Sequence, residues 1–472
     1  MAREYPFVIG GRLAAPQRSV AVHSPYSGDE VGSGGDATAL EVDRALAAAA
    51  GAREAMAALP AWRRSLALAE LERAVAANQD ELAALMSAEA AKPIRAARAE
   101  VSRARLTLRT AAEEALRIGG EARPLDVAPA GEGHWSLERR VPVGVVAGVT
   151  PFNFPLNLVL HKLAPAIAAG NPIIIKASPR TPLTALRLGE LALGVELPPG
   201  AINVLAGGAE PVRQLLDDGR VALFSFTGSA EVGWELKARA GRKKVVLELG
   251  GNACNIVHHD ADLARAAELL TAGAFGYSGQ SCISVQRVLA HRDIYTELRR
   301  RLLERAAALR VGDPADPATD VGPMISDQAA TRAFTWMREA IAAGAVAACG
   351  PRRDGAFVWP TILEQTPPAA SIYNEEAFAP VLLLAPYDDF EGAIAEANAS
   401  RFGLQAAVFT ASLATVMRAW QRLEVGAVIV NAASNWRLDP MPYGGVKASG
   451  FGREGIRSSI LEMTELRLLV LG

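Results

Sequence analysis

The chain has 472 residues, of which 50% are hydrophobic, and its 49 basic side chains nearly balance 51 acidic ones. This length exceeds what one hydrophobic core usually serves, so we expect two or more domains. The balanced charge lacks the strong positive field that binds polyanions, and it argues against a nucleic acid or an anionic membrane as a partner.

The N-terminal segment and the cysteines indicate the compartment. Residues 1–16 contain no apolar stretch of signal-peptide length, and no later segment keeps about 18 apolar residues together, which predicts a cytoplasmic protein. Cys254, Cys282 and Cys349 show no C-x-x-C spacing, so neither a disulfide framework nor a metal site is expected. An important thiol would be a free thiol.

In chain order, the pattern changes from helical to alternating. Residues 37–118 are rich in Ala, Leu, Glu and Arg at helical spacing and predict a helical layer. From about residue 140, short β-branched runs alternate with helical patterns, and the alternation continues after Gly250. This predicts an α/β protein with two doubly wound, mostly parallel sheets. Residues 119–139 and the tail "ELRLLVLG" predict peripheral strands.

Cys282 is the first candidate for chemistry. It follows the flexible stretch "SGQS" and precedes an apolar residue, so a turn could place its sulfur beside a cleft where backbone N–H groups stabilise a thiolate. Free cysteine is also among the most buried residue types. The residues around Cys282 therefore leave a nucleophile and a small core residue both open.

Four further stretches place polar groups at strand or helix ends. Glu248 ends the run "VVLELGG", where open sheets bind ligands, although an exposed strand-end carboxylate fits equally. Asn153, in "TPFNFP", could donate to an oxyanion or cap a helix. Gly228 and Ser229 lead into a helix whose N-terminus could bind phosphate, and Lys176 ends the run "PIIIK" and could bind ribose or lie on the surface.

Together these stretches resemble the aldehyde dehydrogenase superfamily over nearly the whole chain. "TPFNFP", "IIIKAS", "FTGSAEVG", "LELGGN", "GQSCIS", "NEEAFAPV" and "MPYGGVKASGFGREG" follow the order of the family. The resemblance implies two Rossmann-like domains, a small β-strand arm and a homodimer or homotetramer. It implies a dinucleotide-binding domain at 1–118 and 140–250, a catalytic domain at 251–448 and an oligomerisation arm at 119–139 and 456–472.

The resemblance also implies a mechanism. Cys282 would attack the aldehyde carbon, the Asn153 amide would hold the oxyanion, and Glu248 would activate the water that hydrolyses the thioester after hydride has passed to the nicotinamide. The family's cofactor contacts fall on these residues: Lys176, Thr150, Pro151, Phe152, Ser178, Gly228, Ser229, Leu249, Gly250, Glu376 and Phe378.

The sequence leaves the choice between NAD and NADP open. Family members that prefer NAD commonly carry a glutamate three residues after the lysine, where it repels a 2′-phosphate. Here Pro179 occupies that position, and Arg180 follows as a possible phosphate contact or a solvated arginine.

The substrate pocket is expected beside Asn153 and Cys282. "LNLVLHKLAPA" and "NWRLDPMPYGG" resemble the subgroup that acts on lactaldehyde, glyceraldehyde phosphate or phosphonoacetaldehyde, and imply a small hydroxylated or anionic aldehyde. Ser281 stands where a phosphonoacetaldehyde enzyme is expected to carry arginine. Pocket candidates are Phe154, Asn157, His161, Arg103, Ser281, Ile283 and Arg437, although Asn157 and His161 fit structural roles equally.

Two rival functions follow from the same motifs. A CoA-acylating semialdehyde dehydrogenase would pass the thioester to CoA, but such enzymes typically lack the glutamate that Glu248 represents. A catalytically inactive binding protein is the other rival, and the joint presence of Cys282, Glu248, Asn153 and Lys176 argues against it.

Overall fold

The computed structural model describes residues 3–472, and its first part pairs short strands and then forms a helical layer. The first long helix begins at a capping box in which the Thr38 side chain accepts from the backbone N–H of Glu41, and the Glu41 carboxylate accepts from that of Thr38. The elements are β1 (Phe7–Ile9), β2 (Arg12–Ala14), β3 (Ser19–His23), β4 (Glu30–Gly35), α1 (Ala39–Ala58), α2 (Ala61–Ala77), α3 (Gln79–Ala90) and α4 (Ile94–Ala115).

Two peripheral strands and the first α/β unit follow. Fully buried β-branched runs form the strands, as expected for a sheet covered on both faces. The elements are β5 (Ala122–Pro124), β6 (Trp135–Pro142), β7 (Val145–Val149), α5 (Asn157–Ala169), β8 (Ile173–Ala177), α6 (Leu183–Ala192), β9 (Ile202–Ala206), α7 (Ala209–Asp217), β10 (Val221–Thr227), α8 (Ala230–Arg239) and β11 (Lys244–Glu248).

The second α/β unit and the C-terminal segment complete the chain. The elements are β12 (Ala253–Val257), α9 (Leu263–Phe275), β13 (Val285–His291), α10 (Arg292–Ala307), α11 (Asp327–Ala342), β14 (Val346–Cys349), β15 (Arg353–Asp354), β16 (Phe357–Val358), β17 (Thr361–Glu364), α12 (Ser371–Asn374), β18 (Val381–Tyr387), α13 (Phe390–Asn398), β19 (Phe402–Gly403), β20 (Gln405–Phe409), α14 (Leu413–Arg422), β21 (Ala427–Val430), β22 (Val446–Lys447), β23 (Gly450–Phe451), α15 (Ile456–Glu462) and β24 (Thr464–Leu471).

Two large sheets organise these elements, as the sequence predicts. The first has the order β2-β1-β9-β8-β7-β10-β11-β23, with five parallel strands from β9 to β11. The second has the order β14-β17-β18-β13-β12-β20-β21 and is parallel except at β14. The strand order of the first sheet reverses between β7 and β10, and ligands bind at the carboxyl ends beside such a reversal.

The peripheral arm is a three-stranded antiparallel sheet, β24-β6-β5. Its bounds differ from the sequence prediction in two places. β6 continues to Pro142, and α15, predicted as part of the arm, packs Ile456, Ile460 and Met463 into the first domain's core. The sequence prediction includes α15 in the arm because this helix is short and lies directly before an exposed strand. No helix within residues 3–472 is long and apolar enough to cross a membrane.

Candidate active site

A cavity of about 530 Å³ lies between the two sheets. The carboxyl ends of β10 and β11 form one wall, and the turn before β13 forms the opposite wall. Seventeen of the residues predicted for catalysis, cofactor binding or substrate binding line it. They are Arg103, Pro151, Phe152, Asn153, Phe154, Asn157, Gly228, Ser229, Glu248, Leu249, Gly250, Ser281, Cys282, Ile283, Glu376, Phe378 and Arg437.

Cys282 follows a strained turn. Tyr277, Ser278 and Gly279 all have positive φ, and a Cβ at Gly279 would lie 2.1 Å from the carbonyl oxygen of Ala379. Only glycine fits that approach, and the turn directs the next residues toward the cavity. Cys282 is half-buried and lines the cavity, a position from which its sulfur can meet a ligand.

The Cys282 thiol has one polar neighbour, the Tyr443 hydroxyl, whose oxygen lies 3.2 Å from the sulfur. Burial raises the pKa of Cys282 to about 12, and the Tyr443 hydrogen bond acts in the opposite direction. The resting sulfur is therefore a neutral thiol that needs a proton acceptor or a nearby positive charge before it can attack.

Asn153 is held from both ends. Its side-chain amide donates to the backbone carbonyl oxygen of Gln280 at 3.0 Å, and its backbone carbonyl oxygen accepts from the ammonium of Lys92 at 2.7 Å. Lys92 is fully buried, pairs with Glu100 and lies 3.9 Å from the centre of the Phe154 ring. One of the two amide hydrogens of Asn153 thus fixes its orientation, and the other is left for a ligand.

Glu248 ends β11, and its carboxylate is 3% exposed. Neither oxygen has a hydrogen-bond partner among the described residues. Burial and the nearby charge of Glu454 raise the pKa of Glu248 well above its ordinary value. Glu454 itself pairs with Lys162 at 2.9 Å and stays ionised. An unpartnered carboxyl group with a raised pKa is suited to exchange protons with a water molecule near neutral pH.

The wall opposite the substrate end has the features of a nucleotide site. Helix α8 begins at Ala230, the side chain of its N-cap residue Ser229 makes no capping hydrogen bond, and the buried hydroxyl of Thr227 has no partner in the described chain. A Cβ at Gly250 would lie 2.5 Å from the Glu376 carboxylate, whose pKa burial raises to about 7. Phe378, with φ of 49°, packs edge-on against Phe152 at 5.8 Å.

Three predicted cofactor contacts lie outside the cavity wall. Lys176 lies near the end of β8, Ser178 follows β8 and Thr150 follows β7, so all three lie at the same sheet edge as Gly228. The Lys176 ammonium donates to the carbonyl oxygen of Gly207 at 3.0 Å, and burial lowers its pKa to about 8. Their shared edge fits an extended dinucleotide that reaches beyond the cavity.

The substrate end contains two arginines. Arg103 forms two hydrogen bonds with Asp439, and Arg437 stacks on Tyr443 with 3.5 Å between the guanidinium carbon and the ring centre. The sequence predicts that His161 lines the cavity, but the structure places it elsewhere. It is 1% exposed and lies behind Arg437, because its ring packs inward from α5 and bonds to Asp439 and Arg437.

Sequence reasoning missed Tyr443, Asp439 and Lys92. Tyr443 and Asp439 lie in irregular chain, where no periodicity marks a buried face, and Lys92 follows α3 as an apparently ordinary surface lysine. The motif "MPYGGVKASG" contains Tyr443 and could have drawn attention to it. Within residues 3–472, no group of three or more His, Cys, Asp or Glu side chains is arranged to hold a metal ion.

Fold and cavity together define an NAD(P)-linked enzyme with a cysteine in its active-site cleft, and the family model agrees. The model of the aldehyde dehydrogenase family matches residues 13–469, so the chain belongs to that family and is an NAD(P)-dependent aldehyde dehydrogenase. This confirms the family, the fold class and the cofactor class that the sequence indicates.

Several relatives match almost end to end. A 3-sulfolactaldehyde dehydrogenase of Priestia aryabhattai is 43% identical over 470 residues, which cover 99% of this chain and 98% of the relative. An aspartate-semialdehyde dehydrogenase of Pseudomonas canavaninivorans is 40% identical, with 97% and 98% covered. The structure of aldehyde dehydrogenase 21 of Physcomitrella patens, in complex with the reaction product succinate, superimposes with a TM-score of 0.98 at 40% identity, covering 100% and 98%.

Proposed function

We propose that this enzyme oxidises a short aldehyde with an anionic substituent to its carboxylate, using Cys282 as nucleophile. The observation that carries the proposal is the single cavity that holds the Cys282 thiol, the Asn153 amide, the unpartnered Glu248 carboxyl group and two arginines. Acid formation from an aldehyde needs a nucleophile, an oxyanion donor and a base for water, and these residues supply all three.

In the first step the Cys282 thiol loses its proton to water and the sulfur attacks the aldehyde carbon, which forms the C–S bond and gives a tetrahedral thiohemiacetal. Its oxyanion accepts hydrogen bonds from the free amide hydrogen of Asn153 and the backbone N–H of Cys282. The bond from the side-chain amide to the Gln280 carbonyl oxygen orients this amide, and the bond from Lys92 to the Asn153 backbone carbonyl oxygen positions the main chain, so little reorganisation is needed.

NAD or NADP, when bound, supplies the oxidant that converts the thiohemiacetal to a thioester. Thr227, Gly228 and Ser229 would hold its phosphates, and Lys176 and Glu376 would hold its ribose hydroxyls. Glu248 then takes a proton from water as the water attacks the thioester, which breaks the C–S bond and releases the carboxylate and the Cys282 thiol.

The substrate class follows from the arginine end of the cavity. Arg103 and Arg437 line the wall near Cys282, and guanidinium groups bind carboxylate or sulfonate through paired hydrogen bonds. The relatives named above act on sulfolactaldehyde and aspartate semialdehyde, or contain succinate, and all three compounds are short and carry a carboxylate or a sulfonate. These names support a short aldehyde carrying carboxylate or sulfonate.

A spectrophotometric screen tests the proposal. Reduced-nicotinamide formation is followed with short anionic aldehydes, such as succinic semialdehyde and 3-sulfolactaldehyde, and with neutral aldehydes of equal length, with each cofactor. We expect a kcat/KM at least about tenfold higher for the anionic members, because each charge-assisted hydrogen bond favours them. Equal kcat/KM for both sets, or a requirement for CoA in product formation, would contradict it.

A further inference from the structure

Asp439 is a buried carboxylate at the substrate end of the cavity. It is 0% exposed and accepts four hydrogen bonds: from Nε and Nη2 of Arg103 at 3.0 and 2.7 Å, from the Asn157 amide at 3.0 Å and from His161 Nε2 at 2.8 Å. Burial alone would raise the pKa of Asp439, but the hydrogen bonds from His161 and Arg103 hold it below its ordinary value. Asp439 therefore carries a fixed negative charge.

His161 connects this carboxylate to the second arginine. Its Nδ1 lies 2.8 Å from Nη2 of Arg437, while its Nε2 contacts Asp439. Arginine can only donate, so Nδ1 must accept and the ring hydrogen must lie on Nε2, where it donates to Asp439. The imidazole ring is thereby fixed at both nitrogens, and it fixes the guanidinium of Arg437 in turn.

Arg437 is left with bonding capacity toward the cavity. Its side chain is 7% exposed, its Nε is buried without a hydrogen-bond partner in the described chain, and its nearest carboxylate, on Glu454, lies 3.9 Å away. That carboxylate already pairs with Lys162. Arg437 lines the cavity, so an anion there would balance a buried guanidinium charge that has no close carboxylate of its own.

Arg103 is held in a similar way. Its two bonds to Asp439 use Nε and Nη2, so Nη1 is free of protein partners in the described chain, and its side chain is 33% exposed on the cavity wall. Arg103 thus contacts Asp439 directly, whereas Arg437 is connected to it only through His161. The excess positive charge at this end of the cavity is available to a ligand.

We propose that Asp439 and His161 are positioning residues that fix Arg103 and Arg437 to receive the anionic substituent of the aldehyde. The inference rests on the proposed function, since it concerns the same substrate end. The preference for anionic aldehydes then depends on two residues that do not touch the substrate. His161 belongs to α5, and Asp439 belongs to the loop between β21 and β22.

A purely structural role makes a different prediction. The network joins α4, α5 and the loop that contains Asp439, so its loss could simply loosen the fold. A loosened cavity would impair all aldehydes alike. Displaced arginines would impair only an anionic aldehyde, and mainly through KM, because the anionic group lies away from the reacting carbon.

The experiment compares succinic semialdehyde with butanal, a neutral aldehyde of the same chain length. We expect Asp439→Asn and His161→Leu to raise KM for succinic semialdehyde about tenfold or more, with kcat and both butanal constants within about twofold of wild type. His161→Asn retains an acceptor near the position of Nδ1, and it should restore part of the loss. Asp388→Asn, which removes an exposed partner of Arg292, is the matched control and should leave all constants unchanged.

Three outcomes are distinguishable. Equal losses for both aldehydes, or an unchanged KM for succinic semialdehyde in Asp439→Asn and His161→Leu, would overturn the inference. A wild-type enzyme that does not discriminate the two aldehydes would overturn the proposed function itself. If the first two variants do not fold, His161→Asn decides, since loss of its bond to Asp439 alone predicts a severalfold rise in KM for succinic semialdehyde and none for butanal.

Discussion

The Cys282 sulfur lies 3.2 Å from the Tyr443 hydroxyl oxygen. The Arg437 guanidinium stacks on the ring of the same tyrosine, 3.5 Å from the ring centre. One phenol ring therefore separates the thiol from the cation. This arrangement suits an aldehyde whose charged group and carbonyl carbon are only a few bonds apart. It also couples the acidity of the thiol to a residue outside the three proposed for catalysis.

The first prediction concerns that coupling. Tyr443→Phe removes the hydroxyl but keeps the ring on which Arg437 stacks. Because the hydroxyl lowers the pKa of Cys282, we expect the variant to have a higher thiol pKa and to react severalfold more slowly with iodoacetamide at pH 8. Mass spectrometry of the Cys282 peptide measures the rate, and Cys282→Ala gives the background. An unchanged rate would show that the hydroxyl does not stabilise the thiolate.

The second prediction concerns Glu248. Glu248→Gln keeps the size of the side chain but cannot accept a proton from water, so thioester hydrolysis should slow by roughly a hundredfold or more. We expect a rapid burst of reduced cofactor followed by slow turnover, and intact-protein mass spectrometry should show an acyl group on the enzyme. Cys282→Ala should show neither burst nor adduct. Slow turnover without an adduct would instead indicate that Glu248 acts in a step before the thioester forms.

The sequence predicts the sheets because their strands are continuous apolar runs bounded by polar residues. The runs ending at Lys176 and Glu248 form β8 and β11, and the side chains at their carboxyl ends lie at the same sheet edge. The proposed catalytic trio shares one cavity. These features were predictable because each depends on a local pattern plus the rule that ligands bind at that edge.

The polar network behind the cavity was not predictable in the same way. Asp439 bonds to Arg103 and His161, which lie on separate helices far away in the chain, and no periodic pattern encodes such contacts. The sequence predicts that His161 faces the substrate, because helical spacing places it on one face with Phe154 and Asn157. Whether that face meets the cavity or the Asp439 loop depends on tertiary packing.

The third prediction concerns the choice of cofactor. Pro179 and Arg180 follow β8 and are exposed, so a side chain at position 179 has room. Pro179→Glu would place a carboxylate where a 2′-phosphate is expected, and we predict a KM for NADP at least about tenfold higher with little change for NAD. Pro179→Gln, of equal size but neutral, is the control. A similar effect of both substitutions would indicate a backbone effect of losing proline.

The fourth prediction concerns the arm, whose role in assembly is our inference. Leu466, Leu468 and Val470 of β24 lie on one face of the arm and are about half exposed. Apolar residues in a row on a surface strand commonly mark a subunit contact. Leu468→Glu should therefore convert a dimer or tetramer to smaller species in light scattering after gel filtration. Glu465→Gln on the opposite face is the control, and a monomeric wild type would refute the inference.

The fifth prediction concerns Lys176, whose pKa burial lowers to about 8. Below that pH the ammonium is charged and can donate to a ribose hydroxyl or attract a phosphate, and above it the charge is lost. Cofactor affinity should therefore begin to weaken as the pH rises from 7 to 8 and continue to weaken up to pH 9.5, measured by quenching of protein fluorescence.

The control must separate the titration of Lys176 from that of Glu376. Burial raises the pKa of Glu376 to about 7, so its titration affects the lower end of the pH range. Lys176→Arg stays charged throughout, so its affinity should not fall between pH 8 and 9.5, whereas Lys176→Ala should be weak and level over the same range. A decline in all three proteins would assign the pH dependence to another group. A decline in affinity only in the wild type would assign the pH dependence to Lys176. Level affinity in Lys176→Arg would show that the positive charge, rather than the hydrogen bond of the ammonium to Gly207, governs cofactor binding.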